Sequence, residues 1–79
     1  MSYKENIQPV FDKIKEIKAN PLLPRNWVKL IAKRTGKSET IIRQYVLGAK
    51  NVPDGPMEVL EHLNAIISEK KEKIKKLTA

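Results

Sequence analysis

Four polar side chains that can recognise DNA bases lie within six consecutive positions of this chain. They are Glu39, Thr40, Arg43 and Gln44. Arginine can donate two hydrogen bonds to guanine, glutamine can pair with adenine, glutamate can accept from cytosine, and threonine can contact a thymine methyl group. On a helix, positions 40 and 44 share a face, and position 43 lies beside positions 39 and 40. Two of these side chains also suit another role. Glu39 could instead interact with the helix dipole, and Arg43 could bind a phosphate or remain solvated.

The surrounding sequence predicts two short helices joined by a tight turn. Ala32 is small enough for two helices to cross closely, and Gly36 can adopt the positive φ that such a turn needs. Ser38 can accept a backbone N–H as the N-cap of the second helix. Ile42 and Tyr45 are three positions apart, so both are expected on its buried side. Such a pair of helices can place the second one in the major groove.

The spacing A-x-x-x-G-x-S at 32–38, followed by apolar Ile42 and Tyr45, resembles the helix-turn-helix of the lambda-repressor-like and lac-repressor-type families. The similarity is ungapped from Val28 to Leu47. It departs at Lys37, where those families usually carry an apolar residue that packs the turn. In those families, the residues matching Glu39, Thr40 and Gln44 contact base edges. Their first motif helix crosses the DNA backbone, and the loop after the recognition helix flanks a second phosphate strand.

The basic residues are concentrated on the same segment. The chain has a formal charge of +7. Residues 25–51 contain seven Lys and Arg residues against Glu39 alone, which gives +6, whereas residues 1–24 give +1 and residues 52–79 give zero. A basic surface attracts phosphates independently of sequence. The predicted phosphate contacts are Asn26, Lys37, Ser38, Lys50 and Asn51. Lys33 and Arg34 could either face the DNA or point away from it.

Apolar spacing predicts four helices. The first covers about 5–18, and it either begins near Pro9 or starts earlier with a turn capped by Ser2 and Glu5. A linker at 20–26 follows, with Asn26 as the expected N-cap of a helix at 27–35, in which Trp27 faces the core. The third helix covers 38–47. After a loop at 48–56, a last helix runs from about Pro56 into the C-terminal tail.

The last helix has two predicted parts. Its apolar residues follow a heptad-like spacing at Leu60, Leu63, Ile67, Ile74 and Leu77. Up to Ile67 these residues are expected in the domain core. Residues 69–79 are too polar for a buried helix, so they form either a frayed extension or one strand of a short dimer coil.

Composition argues against several other classes of protein. The chain has no cysteine and a single histidine, His62, so neither a disulfide framework nor a metal site is expected. Four aromatic residues cannot form a row of stacking platforms for single strands, which favours duplex DNA. No phosphate-binding loop, paired-histidine motif or nucleophile–base arrangement is present, so neither catalysis nor a cofactor is expected. No apolar run has the length of a membrane span or a signal peptide, which favours a cytoplasmic protein.

Together these observations predict an all-α, single-domain protein over residues 1–79, with four helices, a helix-turn-helix at about 27–47 and a long C-terminal helix. The expected function is sequence-specific binding of double-stranded DNA, as a small repressor that acts as a homodimer. Two alternatives remain. The hairpin could be purely structural in a module whose C-terminal helix docks on a protein partner, or the basic surface could bind RNA.

Overall fold

The computed structural model describes residues 7–48 and 54–79. Over these ranges the chain forms four α-helices and no strand: α1 (Gln8–Lys18), α2 (Trp27–Thr35), α3 (Glu39–Leu47) and α4 (Asp54–Thr78). The predicted all-α class with a long C-terminal helix is therefore confirmed. None of the described helices has the length and apolar character needed to cross a membrane.

Helix α1 begins at Gln8, with Pro9 in its first turn. Proline suits this position, because the first backbone N–H groups of a helix have no intrahelical acceptor. The described helix therefore begins next to Pro9, and the predicted earlier turn with Ser2 and Glu5 lies outside the described residues. The helix ends at Lys18, and the Asn20 side-chain oxygen accepts a hydrogen bond from the Leu22 backbone N–H at 2.9 Å. This local turn starts the linker to α2.

The turn between α2 and α3 has the predicted geometry. Gly36 adopts φ +72°, and its N–H donates to the carbonyl oxygen of Ala32 at 2.9 Å. Ser38 is extended, and its hydroxyl oxygen accepts from the Ile41 N–H at 3.2 Å. The second motif helix therefore begins with a side-chain cap, as expected from the sequence.

The prediction that Asn26 caps α2 is wrong. Asn26 occupies the N-cap position, but its side chain makes no capping hydrogen bond. Its backbone, at φ −90° and ψ 26°, is close to helical, whereas a capping side chain needs an extended backbone to reach the N–H groups of the first turn. A backbone turn precedes the helix instead, in which the Trp27 N–H donates to the Pro24 carbonyl at 3.2 Å.

Helix α4 packs against all three other helices and supplies half of the core. The buried apolar residues are Ile14, Ile17, Ile31, Ile42, Val59, Leu63, Ile66 and Ile67. Trp27 and Tyr45 are only half-buried, although both pack against this core. The core therefore joins α1, both motif helices and the first half of α4. Helix α4 packs against the buried side of the motif.

The boundaries of α4 differ from the prediction. The helix begins at Asp54, two residues before Pro56, so residues 54–56 belong to a helix and not to the predicted loop. It is continuous to Thr78, and every residue of 68–79 is exposed. The described extension is therefore helical and fully exposed. Ile74 and Leu77 are 45% and 76% exposed, in contrast to the buried Leu63 and Ile67.

Candidate nucleic-acid interface

The burial pattern of α3 leaves one of its faces open. Ile42 is 1% exposed, and Ile41, Tyr45 and Val46 are half-buried. The opposite face carries Glu39, Thr40 and Arg43, all of which are exposed. These three predicted base contacts therefore lie together at the N-terminal half of the helix, on the side turned away from the core.

An ion pair joins two of these residues. The Arg43 Nη2 lies 3.5 Å from the Glu39 Oε1, one helical turn away. The side chains are 61% and 45% exposed, so this pair contributes little to stability and can be exchanged at small cost. A base edge or a phosphate could therefore recruit the Arg43 guanidinium.

Gln44, the fourth predicted base contact, differs from the other three because it is half-buried. Its side-chain carbonyl oxygen is buried and has no hydrogen-bond partner among the described residues. Burying such an acceptor without a partner costs on the order of 1–3 kcal/mol. Rotation of this amide toward a donor outside the protein would remove that cost.

A shallow basic concavity lies at the N-terminus of α3. We call this concavity the lysine cleft; it is lined by Lys29, Lys33, Lys37, Ala32, Gly36, Ser38 and Glu39. Within the described residues, neither Lys29 nor Lys33 forms an ion pair. The cleft combines ammonium groups with the positive end of the α3 dipole, an arrangement that attracts anions.

Two acidic residues of α4 reduce the charge of the motif. Lys37 Nζ lies 3.8 Å from Glu58 Oε2, so part of its charge is compensated within the protein. Arg34 donates to Glu69 at 2.7 Å and is thereby held toward α4. This resolves the position of Arg34, which the sequence left open. Lys37 links the turn to α4 through this ion pair.

The predicted phosphate contacts are only partly brought together. Lys37 and Ser38 meet in the lysine cleft, but Asn26 is not one of its lining residues. Asn26 lines a different groove between α2 and α4, together with Arg34 and Glu69. Lys50 and Asn51 lie outside the described residues.

The sequence-based phosphate contacts do not include Lys29, and the sequence leaves the direction of Lys33 open. Both line the lysine cleft. Their spacing of four residues on α2 was a usable signal, because residues at i and i+4 share a helix face. What the spacing could not show was that this face continues into the start of α3.

The described residues contain no group of three or more His, Cys, Asp or Glu side chains placed to hold a metal ion. No family model, curated protein or solved structure matches this chain.

Proposed function

We propose that this protein binds duplex DNA sequence-specifically through α3 and acts as a small transcriptional repressor. One observation carries the proposal. The exposed face with Glu39, Thr40 and Arg43 lies directly beside the lysine cleft at the helix N-terminus. Recognition of a duplex needs both parts, because base contacts give specificity while phosphate contacts give affinity and position the protein.

In this proposal, the N-terminal half of α3 enters the major groove. Arg43 leaves its ion pair with Glu39 and binds a guanine edge or a phosphate. The Gln44 amide rotates toward an adenine, and its oxygen, now buried without a partner, gains a hydrogen-bond donor there. Lys29, Lys33 and Ser38 contact the phosphates beside the groove. Asn26, Lys50 and Asn51 are the expected phosphate contacts outside the cleft.

We further propose that the protein acts as a homodimer and without catalysis. A single domain offers few base contacts, and two copies on an inverted repeat would double them. A DNA-binding protein must be located in the same compartment as its DNA. We expect that compartment to be the cytoplasm. Occupation of a promoter by the dimer would be sufficient for repression.

The deciding experiment is in-vitro selection by the full chain from randomised duplex DNA at near-physiological salt. We expect an inverted repeat with half-sites about one helical turn apart. Retention of duplexes without a consensus would contradict sequence-specific reading and point to binding through phosphates alone. No retention of duplex DNA would refute the proposal.

Variants then test the site. Arg43→Ala and Gln44→Ala should each reduce affinity for the selected duplex by about tenfold and relax preference at one base position. Lys33→Ala should weaken binding to all duplexes alike. It should also lower the slope of log affinity against log salt by about one phosphate contact. Lys71→Ala, an exposed lysine on the far part of α4, is the matched control and should change specific binding little.

RNA binding is the alternative that the same surface allows. The major groove of A-form RNA is too deep and narrow for a recognition helix. A duplex RNA competitor should therefore displace the selected DNA only weakly. Equal competition by RNA would contradict the major-groove mode of binding.

A further inference from the structure

An apolar surface lies beside the proposed DNA-binding face. We call it the apolar groove; its six apolar residues come from α1, α2 and α3 and are Phe11, Ile14, Trp27, Val28, Val46 and Leu47. It consists of two adjoining concavities that share Val46 and Leu47, so they form one continuous surface. Leu47 is 74% exposed, so most of its apolar side chain is not buried within the fold.

Among the described residues, every charged side chain at the rim of the apolar groove is basic. Lys18 borders both concavities, Arg43 borders one and Lys15 the other. Within the described residues, Lys15 and Lys18 form no ion pair. A partner that fills this surface must therefore bring apolar side chains together with negative charge.

We propose that the apolar groove docks an acidic amphipathic segment of a partner protein. Its apolar side chains would contact Trp27, Val46 and Leu47, and its carboxylates would face Lys15, Lys18 and Arg43. This is helix-in-groove recognition, in which a few apolar side chains at helical spacing give most of the affinity.

Charge argues against the exposed end of α4 from a second copy as the occupant. Residues 69–79 contain five lysines against two glutamates. Such a segment would be repelled by the lysines and arginine at the rim, because like charges across an interface are costly. An acidic segment is attracted by the same groups.

Docking at the apolar groove would also interfere with DNA binding. Leu47 follows Arg43 by one helical turn on the same exposed face of α3. A segment bound over Leu47 would therefore cover Arg43 and compete with a duplex. This competition rests on the proposed DNA binding, whereas docking itself does not.

The first test is selection of peptides from a random display library on the full chain. We expect enriched sequences with apolar residues at helical spacing and glutamate or aspartate on the flanks. An enriched peptide without tryptophan is then synthesised, because Trp27 is the only tryptophan of the chain and its fluorescence reports directly on the apolar groove. Enrichment of basic or uncharged peptides, or no enrichment, would overturn the proposal.

Two exposed leucines provide a matched pair of variants. Leu47→Ala should weaken peptide binding by about tenfold. Leu77→Ala, at a leucine that is 76% exposed on the distant end of α4, should leave binding unchanged. Because both side chains are exposed, both variants should fold, which circular dichroism can verify. Equal losses in the two variants would show that binding lies elsewhere and would refute docking at this groove.

Charge reversal tests the rim. Lys18→Glu should reduce affinity for the acidic peptide by more than Lys71→Glu, which makes the same change in net charge on the far part of α4. Equal effects would mean that the peptide responds only to overall charge. Concentration-dependent self-association that Leu47→Ala abolishes would identify the groove as an interface between copies and would also overturn the proposal.

The competition arm uses the selected duplex with a fluorescent label. The peptide should displace it from the wild-type chain, and displacement from Leu47→Ala should need about tenfold more peptide. If the chain binds no duplex while the peptide still shifts Trp27 fluorescence, the proposed DNA binding fails and docking stands. If the duplex binds and the peptide does not, docking fails and DNA binding stands.

Discussion

The backbone of Gly55 lies directly on the ring of Tyr45. A Cβ atom at position 55 would be 2.5 Å from the Tyr45 Cδ1, closer than carbon atoms can approach without a shift. Gly55 is in the first turn of α4, and Tyr45 is on α3. This close contact brings the start of α4 against the side of α3 that carries Tyr45.

Gly55→Ala should therefore destabilise the protein. Alanine in a helix is ordinarily more favourable than glycine by about 0.5–1 kcal/mol, but here its methyl group must displace the Tyr45 ring. We expect a net loss of about 1–3 kcal/mol in the free energy of unfolding, measured by urea denaturation. In a Tyr45→Ala background the same change should be neutral or stabilising. Equal losses in both backgrounds would show that the ring is not the cause.

Gly36→Ala should destabilise the protein for a different reason. Among the described residues, no atom beyond the two chain neighbours lies within 4 Å of a Cβ built at this position, so the cost comes from the backbone at φ +72°. We expect a loss of about 1–2 kcal/mol in the free energy of unfolding. Gly36→Asn should cost less, because asparagine tolerates the left-handed conformation better than alanine. A Gly36→Ala variant as stable as the wild-type protein would contradict the left-handed geometry of this turn.

Glu58→Gln should increase affinity for duplex DNA, because it releases Lys37 from its partner at 3.8 Å. We expect a gain of about twofold to tenfold and a salt dependence that is steeper by about one phosphate contact. Stability should change by less than about 1 kcal/mol. Glu61→Gln removes the same charge from an exposed position of α4 and should have a smaller effect. An equal gain in both variants would mean that only net charge matters.

Ile74 and Leu77 should mediate the proposed dimer. They lie three residues apart on the exposed end of α4, where a second copy could bury them in a short coil. The double variant Ile74→Lys with Leu77→Lys should therefore sediment as a monomer. Ser68→Lys with Glu72→Gln makes the same change of two units in net charge on the opposite face of the helix and should preserve the dimer. A wild-type chain that is monomeric at all concentrations would refute this interface.

The local sequence determined the turn and the second motif helix. Gly36 adopts the positive φ, Ser38 caps α3 and Ile42 is buried, all as predicted. These features depend on residue type and on neighbours within about one helical turn, so sequence patterns contain them. The same holds for the division of the last helix into a buried part up to Ile67 and an exposed part beyond it. Asn26 is the exception, because its capping role depended on a backbone angle that the linker sets.

Only the tertiary structure decided which basic side chains of the motif are left without an acidic partner from α4. Arg34 and Lys37 belong to the basic segment, but they pair with Glu69 and Glu58, which lie far along the chain on α4. Charge counted along the sequence cannot include partners that folding brings in from another helix. The lysine cleft and the apolar groove arise in the same way, because each combines residues from separate elements. The sequence thus determined the helices and their local geometry, while packing against α4 determined the charge and shape of the surface that they present.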